Sequence, residues 1–123
     1  MKLLRAHALG LALALVALTV PRGPLAAQDG FIAGVEDLPL MPGLSEIADA
    51  GLVFDKPSGR IVEAFAEGAV SRQAVESFYD STLPQLGWNP QPDRTFQREG
   101  ERLLIKVREG DEGVTVEYRL SPE

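Results

Sequence analysis

Residues 70–88 read VSRQAVESFYDSTLPQLGW, and the fold turns on how this stretch is read. Ser71 stands where an N-cap belongs, its hydroxyl free to accept an N–H of the first helical turn. Val70 and Val75 take the N′ and N4 positions of a hydrophobic staple. Val75, Phe78, Tyr79, Leu83 and Leu86 fall near one stripe at helical spacing, with Arg72, Glu76, Asp80 and Gln85 mostly outside it. Pro84 has no N–H to give the carbonyl of Asp80, so the last turn should tighten or kink. Gly87 fits the C′ position, where φ is positive, and Trp88 at C″ would fold back on Leu83. The stretch therefore predicts a single capped helix with one apolar face.

That face needs a partner, and the flanking sequence predicts antiparallel strands. Downstream, residues 102–109 put Leu103, Ile105 and Val107 on one side, with Leu104 the exception on the other. Residues 114–120 set Val114, Val116, Tyr118 and Leu120 against Thr115, Glu117 and Arg119. This is the alternation of strands with one wet face. A shorter strand is expected over 94–98, after a turn NPQPD at 89–93. Upstream, 52–55 and 60–67 predict a hairpin around Lys56-Pro57-Ser58-Gly59, with Val62, Ala64 and Ala66 turned toward the helix. The tail 121–123 should end the sheet. The expected class is α+β, a single helix packed on one face of an antiparallel sheet in the order β-β-α-β-β-β.

Residues 28–51, QDGFIAGVEDLPLMPGLSEIADAG, show no clear period. They predict an extended Pro- and Gly-rich arm, with Pro42-Gly43 as a type II turn. Its apolar residues Leu38, Leu40, Met41, Leu44 and Ile47 should lie on something. At the start, Lys2 and Arg5 precede an apolar run through Val20, then Pro21 to Pro24 and Leu25-Ala26-Ala27. That is the layout of a cleavable signal peptide over residues 1–27. The division expected is signal peptide 1–27, arm 28–51 and α+β domain 52–123. The location expected is the periplasm or the cell exterior, with no stable membrane insertion after cleavage.

Cleavage after Ala27 would leave 96 of the 123 residues, one small domain at most. It would leave 9 cations against 18 acids, a net charge of −9. Such a surface does not seek nucleic acid or anionic lipid. The chain has no Cys, and its one His, His7, lies in the leader. Ser-His and Cys-His nucleophiles, thiol redox work and His/Cys metal sites are therefore closed to the mature chain. No phosphate loop, dinucleotide turn or calcium loop is present. No cofactor, metal or catalytic residue is expected, and the protein reads as no enzyme. Arg94, Arg98, Arg102, Lys106, Arg108 and Arg119 concentrate in the last strands. Neighbouring Glu99, Glu101, Glu109 and Glu117 are placed to neutralise them across strands.

GRIVEAFAEG followed by FYDSTLPQLGW, with DLPLMPG before them, resembles small exported bacterial proteins of uncharacterised function. The resemblance implies an exported α+β domain and brings no catalytic residues with it.

The reading that follows is a non-enzymatic binding or accessory protein of the cell envelope. Its partner would be another envelope protein. Leu38, Leu40, Met41, Leu44 and Ile47 of the arm are the expected contacts, and the sheet edge comes second. The alternative is a small-ligand binder with a pocket between helix and sheet near Trp88. A carboxylate-dependent hydrolase ranks last, because its two acids would need a cleft to face across. The oligomeric state is left open.

Overall fold

A computed structural model describes residues 30–123. The expected signal peptide and the first arm residues, Gln28 and Asp29, lie outside the described residues. The fold is α+β, with one α-helix and a seven-stranded antiparallel sheet. The strands are β1 (Ser45–Glu46), β2 (Leu52–Lys56), β3 (Gly59–Gly68), β4 (Asn89–Gln91), β5 (Thr95–Arg98), β6 (Glu101–Gly110) and β7 (Gly113–Pro122). The helix, α1, spans Arg72–Thr82 between β3 and β4. Across the sheet the order is β1 or β2, then β3, β7, β6, β5 and β4. The chain thus makes a hairpin, passes through the helix, and returns as a meander whose last strand pairs with β3.

The helix ends are built as residues 70–88 predict. Ser71 Oγ accepts the amide of Ala74 at 3.1 Å. The α-helix stops at Thr82, and Leu83–Leu86 continue as one 3₁₀ turn with Pro84 in its first positions. Gly87 is left-handed at φ 89°, its N–H donating to the Pro84 carbonyl at 3.2 Å, while Trp88 N–H reaches Leu83 at 3.1 Å. Those two bonds are the Schellman pair, and they cap carbonyls the helix leaves free.

The strand order differs from the expected one by two additions. The NPQPD stretch is not wholly a turn: Asn89–Gln91 pair with Gln97–Thr95 as β4. Pro90 is tolerated because β4 is an edge, where a missing donor faces water. Ser45–Glu46 form β1 against Glu67–Ala66 of β3. The last strand also runs further than expected, to Pro122, which lies opposite Glu101.

The alternating faces fall as their period demands. Val62, Ala64, Ala66, Phe96, Leu103, Ile105, Val114, Val116, Tyr118 and Leu120 are all buried. Val75, Tyr79, Leu83 and Trp88 belong to the same cluster. Residues 30–44 join it as well. Phe31 bridges to Pro39, Ile32 N–H donates to Leu38 at 2.8 Å, and Leu40 N–H to Gly30 at 3.0 Å. This closes a small loop that turns Ile32, Val35 and Leu38 inward. Pro42-Gly43 forms the expected turn, with Gly43 at φ 96° and Leu44 N–H bonded to Met41 at 3.0 Å.

Two hydroxyls tie these parts together. Tyr79 Oη of α1 and Tyr118 Oη of β7 are 2.6 Å apart, their rings edge-on with centroids at 5.6 Å. Tyr79 donates to the carbonyl of Pro39 at 2.9 Å and accepts Met41 N–H at 3.4 Å. Its one proton is committed to Pro39, so Tyr118 is the donor between the phenols. Burial pushes both phenols above their ordinary value of 10.0.

Candidate functional site: the outer edge of β2

The five arm residues expected to make contacts are placed on the chain's own core. Leu38 and Leu44 are buried, Leu40 and Met41 pack against the core, and Ile47 is half-buried with its N–H on the Phe65 carbonyl at 2.7 Å. Trp88 is 1% exposed. Arg98 lies over its ring at 4.3 Å, donates to the Leu86 carbonyl at 3.0 Å and pairs with Asp37 at 3.3 Å. The indole N–H has no hydrogen-bond partner among the described residues.

Of the six cations from Arg94 onward, Arg94, Arg98 and Arg119 have ion-pair partners among the described residues, and Arg102, Lys106 and Arg108 have none. Arg119 pairs with Glu63 across β7 and β3 at 3.0 Å, Arg60 with Glu101 at 3.2 Å, and Arg72 with Glu109 at 3.3 Å. Arg94 is held by Asp80 and Glu76 at 2.6 and 3.0 Å. Among the described residues there is no group of three metal-capable side chains, and no helix is long and apolar enough to cross a membrane.

What stands out is apolar surface in one strand. Leu52, Val53 and Phe54 of β2 are 54%, 59% and 51% exposed. On β3, Phe65 gives its carbonyl to Ile47, on the β1/β2 side. Backbone groups alternate sides along a strand, so Ile61 and Glu63 face β2 too. Their register partners are Phe54 and Leu52, whose own backbone groups are thereby used inward. Val53 and Asp55 must then point their N–H and C=O outward, and no bond among the described residues engages them there. β2 is an open edge with a row of free donors and acceptors.

The other edge segments are defended. β4 is three residues long and contains Pro90, and β1 is two residues long. Short length and proline are how sheets avoid unwanted pairing. β2 has five residues, no proline and three large apolar side chains in a row. Its charges, Asp55 and Lys56, sit only at its end.

A break in the ladder shapes the other end of the strand. Glu46 pairs with Ala66 and Leu52 with Glu63, so the chain from Ile47 to Gly51 passes only Ala64 and Phe65. The surplus residues loop out, with Asp49 at φ 64°. A cleft of about 440 Å³ opens there, lined by Ile47, Leu52 and Val53 and by the carboxylates of Glu46, Asp49 and Glu63. Glu46 is used by the Ala33 amide at 3.1 Å and Glu63 by Arg119. Asp49 has no ion-pair partner among the described residues.

The sequence points to a sheet edge only as a second contact and does not single out Leu52–Phe54, since LVF between Gly51 and Asp55 reads equally as a buried strand. Its exposure depends on which neighbours the fold supplies. Neither a protein-family model, nor a curated protein, nor a solved structure matches the chain.

Proposed function

We propose that this is an exported, non-enzymatic protein of the cell envelope that works by binding, and that the outer edge of β2 is its contact surface. The observation that carries the reading is the run Leu52-Val53-Phe54, solvent-exposed on a strand whose outer backbone groups are unpaired. Contiguous apolar surface of this kind marks interaction sites, and an open strand edge binds by adding a further strand. The core takes up Leu38 and Leu44, which makes the arm a structural element first. In this account the helix lies across the apolar face of the sheet through Val75, Tyr79 and Leu83. The β2 edge is then left clear of it.

A pocket near Trp88 draws less support. The indole is sealed beneath Arg98, and it lines none of four surface clefts formed by the described residues. Hydrolysis by paired carboxylates draws no support either, because Glu46 and Glu63 in the cleft beside β2 are engaged by the Ala33 amide and by Arg119.

The test is a comparison of two baits. The wild-type chain and the Val53→Lys variant are used to capture proteins from solubilised envelope. The expected result is a partner held by the wild type and lost from the variant. Equal recovery on both baits would refute the contact surface.

A further inference from the structure

We infer that the strand that completes the β2 edge is β2 of a second copy of this chain, joined antiparallel about a twofold axis through Val53. The inference rests on the contact reading above and names its occupant. The argument is one of register. Antiparallel pairing requires outward-facing residues to meet outward-facing residues. Val53 and Asp55 face outward. Three twofold registers satisfy this condition with at least three pairs inside Leu52–Lys56, centred on Val53, Phe54 and Asp55, and the last sets Asp55 against Asp55.

Placing Val53 opposite Val53 sets Leu52 against Phe54 of the second copy, twice by symmetry. Every apolar side chain of the strand then meets another apolar side chain. Asp55 and Lys56 run past the paired residues toward the second copy's looped-out residues 47–51, which carry Asp49 at the acidic cleft. Within one chain, Lys56 and Asp49 both lack an ion-pair partner among the described residues. The twofold supplies each with the other, on both sides of the axis.

The second register, Phe54 opposite Phe54, sets Val53 against Asp55 and Leu52 against Lys56. It keeps Phe54 against Phe54 but sets Val53 and Leu52 each beside a charge, and it draws Lys56 away from Asp49. Cross-strand pairs of like character stabilise sheets, and apolar–charged pairs do not. The interface is isologous, so it closes at two copies, and the looped-out residues 47–51 stop the pairing from running further. The result is one sheet continuous through both chains.

The interface is short, below the area of a standard complex, so a dissociation constant of about micromolar order is expected. The chain is expressed with its own leader, purified as the cell processes it, and followed by sedimentation across that range. The expected result is a monomer–dimer equilibrium, with Val53→Lys monomeric throughout and unchanged in circular dichroism. Lys56→Glu should weaken the dimer about threefold to tenfold, since exposed ion pairs are individually modest and this one occurs twice. Adding Asp49→Lys to it should restore the wild-type value.

The absence of native cysteine allows a direct check of the axis. Val53→Cys should link covalently to its symmetry mate, and Ser58→Cys, far from the axis, should not. A wild-type chain that stays monomeric about tenfold above the micromolar range overturns the inference. So does a dimer that survives Val53→Lys, or one indifferent to Lys56→Glu. A monomeric chain that still captures an envelope partner through Val53 overturns the second copy and leaves the contact surface standing.

Discussion

Removing the Tyr79 hydroxyl should cost far more than removing the Tyr118 hydroxyl, although the two oxygens lie 2.6 Å apart in the same buried pair. The difference follows from direction. Tyr118→Phe deletes one donor. Tyr79 still gives its proton to Pro39 and still accepts Met41 N–H. The loss is one hydrogen bond, about 1 kcal/mol. Tyr79→Phe strands three groups at once: the Tyr118 hydroxyl, the Pro39 carbonyl and the Met41 amide. A buried group left unsatisfied costs about 1–3 kcal/mol, and the partly exposed Met41 end lies near the low limit. The Pro39 end is part-buried too, so with Tyr118 alone bearing the full penalty a total of about 3–5 kcal/mol is expected.

The double variant should then cost less than the sum of the singles, because Tyr118→Phe removes one of the groups that Tyr79→Phe strands. A coupling of about 1–2 kcal/mol is expected between two residues in contact. The assay is urea unfolding followed by tryptophan fluorescence. Trp88 is buried in the folded chain and reports its exposure. Equal costs for the two single variants, or a larger cost for Tyr118→Phe, would refute the donor order. A coupling of zero would show that the phenols do not share a network.

Three further outcomes test the packing. Gly68 faces the Gly43 carbonyl so closely that an added Cβ would collide with backbone, so Gly68→Ala should lose about 1–3 kcal/mol in the same urea assay. Leu38→Ala should lose about 2–5 kcal/mol, since Leu38 is fully buried; a neutral result would show that the loop 30–40 is not part of the core. The phenols also set a pH dependence. Both are raised above 10.0, mainly by burial, so above that pH the unfolded chain releases protons that the folded chain keeps. Stability from these two groups is whole below pH 10.0 and falls as pH rises beyond it, a loss that thermal melts at stepped alkaline pH should show and that Tyr79→Phe/Tyr118→Phe should blunt.

Much of the fold is written locally. Ser71, Pro84, Gly87 and Trp88 define the helix ends through bonds to residues within five positions, and such bonds can be read along the chain. The inward faces of β6 and β7 follow from a two-residue period, broken in β6 only by Leu104, and that period decides which side of each strand meets the core. The unreadable parts depend on distant partners. β4 exists because Asn89–Gln91 lie along β5, while the two prolines of NPQPD, Pro90 and Pro92, predict only a turn. The loop 30–40 has no period, since it is held by Ile32–Leu38 and Leu40–Gly30 bonds and by one phenol from α1.

The candidate site was harder still. Leu52-Val53-Phe54 carries no alternation that would mark one side as wet. The strand is exposed because Ile47–Gly51 loop away from β3 and nothing further among the described residues covers that side. Burial of such a run is decided by topology, and an edge position cannot be told from a central one by composition.

Amide exchange at Val53, measured in the dilute chain and again under conditions where it is assembled, tests the contact surface most directly. Val53 N–H points outward and is unpaired among the described residues, while Leu52 and Phe54 are bonded inward to β3. The account predicts fast exchange at Val53 and Asp55 in the dilute chain, slowed on assembly, with Leu52 and Phe54 protected in both states. Exchange at Val53 that is already slow when dilute, or that stays fast in the assembled state, would contradict it.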